Sequence, residues 1–312
     1  MPSLPVRAAT ALCPLRQRID ACAKRSLQPF IVLALARTGT HHLADRLNAH
    51  PLLYHHSEKL YKMPHATYHE WCASVGEYLN TACTAAPDGA RAAGGVMMLG
   101  NLPTGEKATP PAETGSLAEL NAIEMVLRRP LSDAMAMSAL AGSVPVILYR
   151  RRNLVRTCVS KLFHRSQSHM FGTQHAEKLR SLQQSLLSTT AAELLDCVGL
   201  QAAGQARYAR MVAAPELVAD LRWITIVYED LLAAEELHAE RAASFLVPKE
   251  TAKEVAKEAS PSSASPMLRI HVGSIMRYLD ANVTEAALRA AFDGTAWEWM
   301  LIEALSEQST PN

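Results

Sequence analysis

Residues 36–41 read Ala36, Arg37, Thr38, Gly39, Thr40 and His41, and they follow directly on an apolar run that begins at Phe30. A permanent cation, two hydroxyls and a glycine thus fall together where a strand gives way to a helix. That set of residue types suits an anion. The first N–H groups of a helix have no intrahelical partner and point outward with the positive end of the helix dipole. A phosphate oxygen answers both features at once. Gly39 lets the backbone approach the anion because no Cβ intervenes. Thr38 and Thr40 add hydroxyl donors, and the planar fork of Arg37 matches phosphate or sulfate. An ordinary strand-to-helix turn with a threonine cap uses the same residues. The G-x-x-x-x-G-K-S/T pattern of an ATP-type phosphate loop is absent, and so is its lysine.

A second cluster follows the apolar run at 145–149. It comprises Arg150, Arg151 and Arg152, then Asn153, Arg156 and Ser160. Asn153 is a candidate N-cap for the next helix. Arg156 then lies in the first turn, with Ser160 one further turn along the same face. Cations at a helix N-terminus oppose its dipole, and a bound anion would explain them. A solvated arginine face or a short basic localisation signal is the other reading. For proton transfer the candidates are Glu58, His55 and His56, which accompany the strand-like run at 52–55. Histidine titrates in the right range unaided, whereas a carboxylate close to arginines stays ionised unless burial raises its pKa. A surface carboxylate at a helix start is the alternative for Glu58. Lys253 and Lys257 lie in the Lys/Glu-rich stretch 249–258, which also reads as a solvated helix face. The pairs His41–His42 and His55–His56 are adjacent in sequence, so they point apart in regular structure and make poor zinc ligands.

These residues need a scaffold. The run at 30–36 is continuously apolar, as in a strand buried on both faces of a parallel sheet. Further strand-like runs occur at 52–55, 96–99, 145–149 and 223–228. Leu43 and Leu47 begin a helix that ends near His50 and Pro51. Other helical stretches are expected at 117–127, 154–163, 179–198 and 235–245. Short strands alternating with helices predict an α/β fold, with a parallel sheet of about five strands covered on both faces. Segments 103–116 and 259–266 read as loops, in which lids often lie. Residues 1–28 carry Arg7, Arg16, Arg18, Lys24 and Arg25 against Asp20 alone. They read as an N-terminal helix, a frayed tail or an organelle-targeting segment. The remainder, 29–312, reads as one domain with a helical C-terminal extension.

The bulk properties exclude several classes. A formal net charge of +1 argues against a general nucleic-acid binder. No stretch approaches the roughly 18 consecutive apolar residues of a membrane span. Cys13, Cys22, Cys72, Cys83, Cys158 and Cys197 form no C-x-x-C pair. Cysteines this sparse read as reduced thiols, with Cys158 packing inward as a small apolar residue, in a cytoplasmic protein.

Residues 30–51 resemble the 5′-phosphosulfate loop of the PAPS-dependent sulfotransferases: an apolar strand, Arg37, Thr38, Gly39, Thr40, then a helix closing on Leu47, His50 and Pro51. Ala36 stands where proline is common, and His41 where a small hydroxyl residue is usual. Arg152, Asn153 and Ser160 match the register of the family's 3′-phosphate motif, with Leu154 in place of the usual proline. That variant is closer to the bacterial carbohydrate branch, which includes nodulation and trehalose sulfotransferases. Residues 225–231, 242–246 and 292–301 extend the resemblance.

The resemblance implies a P-loop-like three-layer α/β/α fold and a sulfuryl transfer from 3′-phosphoadenosine-5′-phosphosulfate (PAPS) to a hydroxyl or amine acceptor, a carbohydrate or small metabolite. PAP is then the product, and no metal is required. Arg37, Thr38, Gly39, Thr40 and His41 are implied at the 5′ side, Arg152 and Ser160 at the 3′-phosphate, and Lys257 as a cation closing over the nucleotide. Arg37 also stabilises developing charge, and Glu58 is the base, with His55 competing. A catalytically degenerate nucleotide-binding protein and a P-loop kinase are the alternatives. The kinase would need the missing lysine and a magnesium-holding aspartate. No nucleic-acid partner and no membrane span are expected, and oligomeric state stays open.

Overall fold

Five segments pair as one all-parallel sheet. They are β1 (Gln28–Ala34), β2 (Leu53–Leu60), β3 (Ala92–Met98), β4 (Val146–Arg150) and β5 (Trp223–Val227), in the order β2-β3-β1-β4-β5. The computed structural model describes residues 15–35, 38–60, 68–98, 140–168, 188–213, 222–247 and 274–306. The expected loops at 103–116 and 259–266, and the expected helix at 117–127, lie outside these residues. So do Arg37, Lys253 and Lys257.

β1 is central because its side chains are apolar on both faces. Ile31 and Leu33 face one layer, and Phe30, Val32 and Ala34 the other. The first layer consists of the 3-10 turn Leu15–Arg18, helix α1 (Asp20–Lys24) and helix α3 (Tyr68–Ala85), which contribute Leu15, Cys22, Trp71, Val75 and Leu79. The second layer consists of α2 (Thr40–Ala49), α6 (Tyr228–Ala233) and α7 (Glu235–Leu246), which contribute Leu43, Leu47, Leu231, Ala242 and Leu246. Each fully buried aliphatic side chain contributes about 1.5–3 kcal/mol, so the two layers hold the sheet from both sides. The result is the expected three-layer α/β/α fold.

The fold reaches N-terminal of Pro29. Leu15, Ile19 and Cys22 are core residues, and Asn80 of α3 accepts from the Ala21 N–H and donates to the Arg18 carbonyl. Arg25 donates to the carbonyls of Cys83 and Ala86 at the C-terminal end of α3, where a cation complements the helix dipole. Segment 15–27 is therefore part of the first layer, not a tail.

The described residues fall into two compact units, a sheet unit within 1–35, 39–150 and 207–265 and a helical unit within 36–38, 151–206 and 266–312. The helical unit has its own core. It includes α4 (Leu154–Ser168), the beginning of α5 (Ala191–Ala213), the 3-10 turn Ile275–Tyr278, α8 (Glu285–Phe292) and α9 (Glu298–Leu305), packed through Val155, Val198, Ile275, Leu288, Phe292 and Leu301.

Four of the six cysteines are not reduced thiols. Cys22 bonds Cys83, joining α1 to α3, and Cys158 bonds Cys197, joining α4 to α5. Cys158 does point inward, as a half-cystine. Partners 61 and 39 residues apart in sequence come to Cα separations of 5.1 and 5.8 Å. Sequence spacing does not report such proximity, and on that point the expectation failed.

Candidate functional site

The turn after β1 is built around Gly39. Its φ of +87° and ψ of +30° lie in the left-handed region, and it precedes α2 as N-cap. A Cβ added there would land on the ring of Tyr228. The fully buried Tyr149 donates its hydroxyl to the Gly39 carbonyl at 3.4 Å, and that carbonyl also accepts the first helical bond of α2, from the Leu43 N–H. Two tyrosines from the ends of β4 and β5 thus hold one glycine in a conformation that L-residues avoid.

No side chain caps the N-terminus of α2, and its first turn holds no acid. Helices α1, α6, α7 and α9 also lack a side-chain cap, but each carries an acid in its first turn, whereas others are capped. Thr284 caps α8 by accepting from the Ala287 N–H, and Thr190 and Glu193 form a reciprocal capping box on α5. An N-terminus without a cap, preceded by a glycine in close contact and carrying His41 and His42, is the electrostatic setting that favours an anion. Thr38 and Thr40 are buried and His41 is exposed.

In the segment after β4, Arg150 is exposed at the strand end, Arg151 is buried and Arg152 is exposed. Asn153 is the expected N-cap: its Oδ1 accepts from the Arg156 N–H at 3.1 Å, and its Nδ2 donates to the Met300 carbonyl at 3.0 Å. Fully buried, it is committed to structure on both sides. Arg156 is corrected by its surroundings. It needs no bound anion, because its guanidinium donates to the Glu303 carbonyl in the last turn of α9 at 3.4 Å, where helix dipoles favour cations. Burial pushes the neighbouring Tyr278 phenol up, against the opposing pull of Arg156 and Arg277. Arg152 and the half-buried Ser160 remain as the candidates for an anion in this segment.

The candidate bases separate. His55 and His56 are consecutive on β2 and so lie on opposite faces. His55 shares the α2 side with Leu53 and is only 2% exposed. Its backbone is held on both sides by Asn48, which accepts from its N–H at 2.6 Å and donates to its carbonyl at 3.0 Å. His56 stacks edge-on against Tyr78 of α3. Glu58 was expected after the second strand and instead lies within β2, in the stretch between His56 and Leu60 where the register with β3 shifts.

β1 and β4 are adjacent and parallel, with Ala34 opposite Tyr149. From β1 the chain proceeds outward to β2 and β3 on one side, and from β4 to β5 on the other. The order reverses between β1 and β4. Open α/β sheets bind ligands beyond the carboxyl ends of strands at that reversal, and both anion-suited segments leave the sheet there. No family model matches the chain, and no curated protein matches it. Among the described residues no cluster of His, Cys, Asp or Glu could hold a metal ion, and no helix is long and apolar enough to cross a membrane. An open groove of about 650 Å³ lies over the outer surface of α3, lined by Arg18, Glu77, Asn80 and Thr81. It contains none of the candidate residues.

Sequence reasoning missed Tyr149 and Tyr228. A signal existed, since each ends an apolar strand run with a hydroxyl. Only the pairing of the strands shows that both serve Gly39.

Proposed function

We propose that the protein is a sulfotransferase that takes a sulfuryl group from PAPS and delivers it to a hydroxyl or amine acceptor. One observation carries the reading: the strands that end in the Arg37–Thr40 and Arg152–Ser160 segments are immediate neighbours at the reversal point of the sheet. A nucleotide with phosphate at both 5′ and 3′ positions needs two anion sites, whereas ATP needs one. In this reading Thr38, Gly39, Thr40 and the opening N–H groups of α2 take the 5′ side with Arg37. Arg152 and Ser160 take the 3′-phosphate, and Lys257 adds a cation.

Sulfuryl transfer needs in-line placement, stabilised equatorial charge and removal of the acceptor proton. Backbone N–H groups held rigid by Tyr149 and Tyr228 suit the charge requirement because they need no reorganisation. For the proton, Glu58 is the preferred base. The burial of His55 and the double hold on its backbone argue against its meeting an acceptor.

Calorimetry with adenosine 3′,5′-bisphosphate in the presence of EDTA tests the reading. Binding that is indifferent to magnesium is expected, and Arg152→Ala weakens it by about tenfold, the size of one lost charge-assisted contact. Absence of binding to the wild-type chain overturns the proposal. A transfer assay over sugars, phenols and amines then identifies the acceptor.

A further inference from the structure

We infer that the corner after β5, from Tyr228 to Glu235, is a clamp that positions the anion-facing turn of α2, with Glu235 as a positioning residue. The inference rests on the sulfotransferase reading of that turn and deepens it. Three contacts carry it. Tyr228 lies over Gly39 in the space a Cβ would take. The edge of the His42 ring meets the same tyrosine, with centroids 6.1 Å apart at 72°. Glu235, with its side chain only 18% exposed, then takes hold of α2 with both carboxylate oxygens. Oε1 lies 3.2 Å from His42 Nε2, and Oε2 lies 3.0 Å from Arg46 Nη1. His42 and Arg46 are one turn apart on a single face of α2, so one carboxylate fixes the rotation of the helix about its axis.

The placement has an electrostatic logic. Arg46 lies in the last turn of α2, where the dipole favours a cation, and Glu235 opens α7, where the dipole favours an anion. The Arg46–Glu235 pair therefore agrees with both helix dipoles. All three groups are largely removed from water, so the pairing is screened less than a surface ion pair. A second contact of the same kind, His50 Nε2 to Glu240 at 3.2 Å, lies at the far end of α2. Glu240 is mostly exposed, and this pair is remote from the turn.

Charge and position predict opposite signs. Glu235 is an anion close to a proposed anion site, so on charge alone Glu235→Gln tightens nucleotide binding. As a positioning residue its loss lets α2 rotate, misaligns the N–H groups and weakens binding. The experiment is calorimetry of adenosine 3′,5′-bisphosphate with wild type, Glu235→Gln, His42→Asn and Glu240→Gln, together with thermal melts. Expected are an affinity loss of about tenfold for Glu235→Gln and about threefold for His42→Asn, with unchanged stoichiometry. Glu240→Gln stays within about twofold of wild type. A purely structural role lowers the fraction of competent protein and leaves Kd alone. Unchanged or tighter binding in Glu235→Gln overturns the inference, and so does an equal loss in Glu240→Gln. Should Glu235→Gln fail to fold, the sign and size of the His42→Asn change decide the matter. Failure of the wild type to bind overturns the reading of the site, and the inference falls with it.

Discussion

Gly39 concentrates most of what the turn requires. A left-handed conformation costs an L-residue about 1–2 kcal/mol, and at Gly39 the Tyr228 ring occupies the place of any Cβ. Gly39→Ala therefore moves either the tyrosine or the turn. The expected outcome is a lowered Tm together with loss of nucleotide binding beyond what the Tm change explains, checked by melting curves and calorimetry. The glycine itself was legible in the sequence, since a lone glycine between threonines after an apolar run marks a position that excludes a side chain. The tyrosine over it was not, because Tyr228 is 189 residues away and only the β4–β5 pairing brings it there. Asn153 was legible as a cap, and its tether to Met300 was not. Asn153→Ala removes both contacts and costs about 2 kcal/mol or more, read as a fall in denaturation midpoint. At Glu58, substitution by Gln is expected to reduce turnover sharply and leave nucleotide affinity nearly intact. Undiminished turnover removes Glu58 as the base.

The elements divide by how strongly their surroundings dictate their composition. Four of the strands could be read as apolar runs because both faces of the sheet are covered; the edge strand β2 is apolar only at its start and end, and both β2 and β3 extend well beyond the expected bounds. Helix α3 was not anticipated. Its buried positions Trp71, Val75, Tyr78, Leu79 and Ala82 do recur at helical spacing, but Asn80, Thr81 and small residues between them dilute the contrast. Arg25 counted toward a basic leader in the sequence, whereas in the fold it closes the end of α3. The expected helix at 179–198 has a described counterpart, α5, that starts at Ala191. Its start is marked by the capping box, in which Glu193 accepts from the Thr190 N–H at 2.8 Å and from the hydroxyls of Thr189 and Thr190. Those donors hold the Glu193 carboxyl below its ordinary value of 4.5, the Thr190 N–H contributing most. A depressed folded-state pKa stabilises above the unfolded value and loses its effect as pH falls through the folded one. Melting curves of Glu193→Gln and wild type should accordingly differ at pH 7 and converge as the pH is taken well below 4.5.

For the whole molecule, the disulfides change the picture most. A sheet whose two layers are apolar could stand without them, yet Cys22–Cys83 fastens the N-terminal segment to the first layer and Cys158–Cys197 fastens α4 to α5. Both join segments that adjacent strands do not hold. The segment before β1 reaches the core through only a few side chains, and α4 and the beginning of α5 belong to a unit that has no sheet strand among the described residues. Closing loops with separations of 61 and 39 residues removes chain entropy from the unfolded state worth about 4 kcal/mol each on the loop-closure estimate. Alkylation of the unreduced, denatured protein followed by mass spectrometry should find Cys22, Cys83, Cys158 and Cys197 unlabelled. Reduction should lower Tm and act on two processes separately. Cys22→Ala/Cys83→Ala should destabilise the sheet unit and leave Arg152-dependent nucleotide affinity near wild type at temperatures where it stays folded. Cys158→Ala/Cys197→Ala loosens the helix that carries Ser160 and should weaken nucleotide binding as well as stability. Equal effects of the two pairs on affinity would show that the staple on α4 has no special relation to the second anion segment.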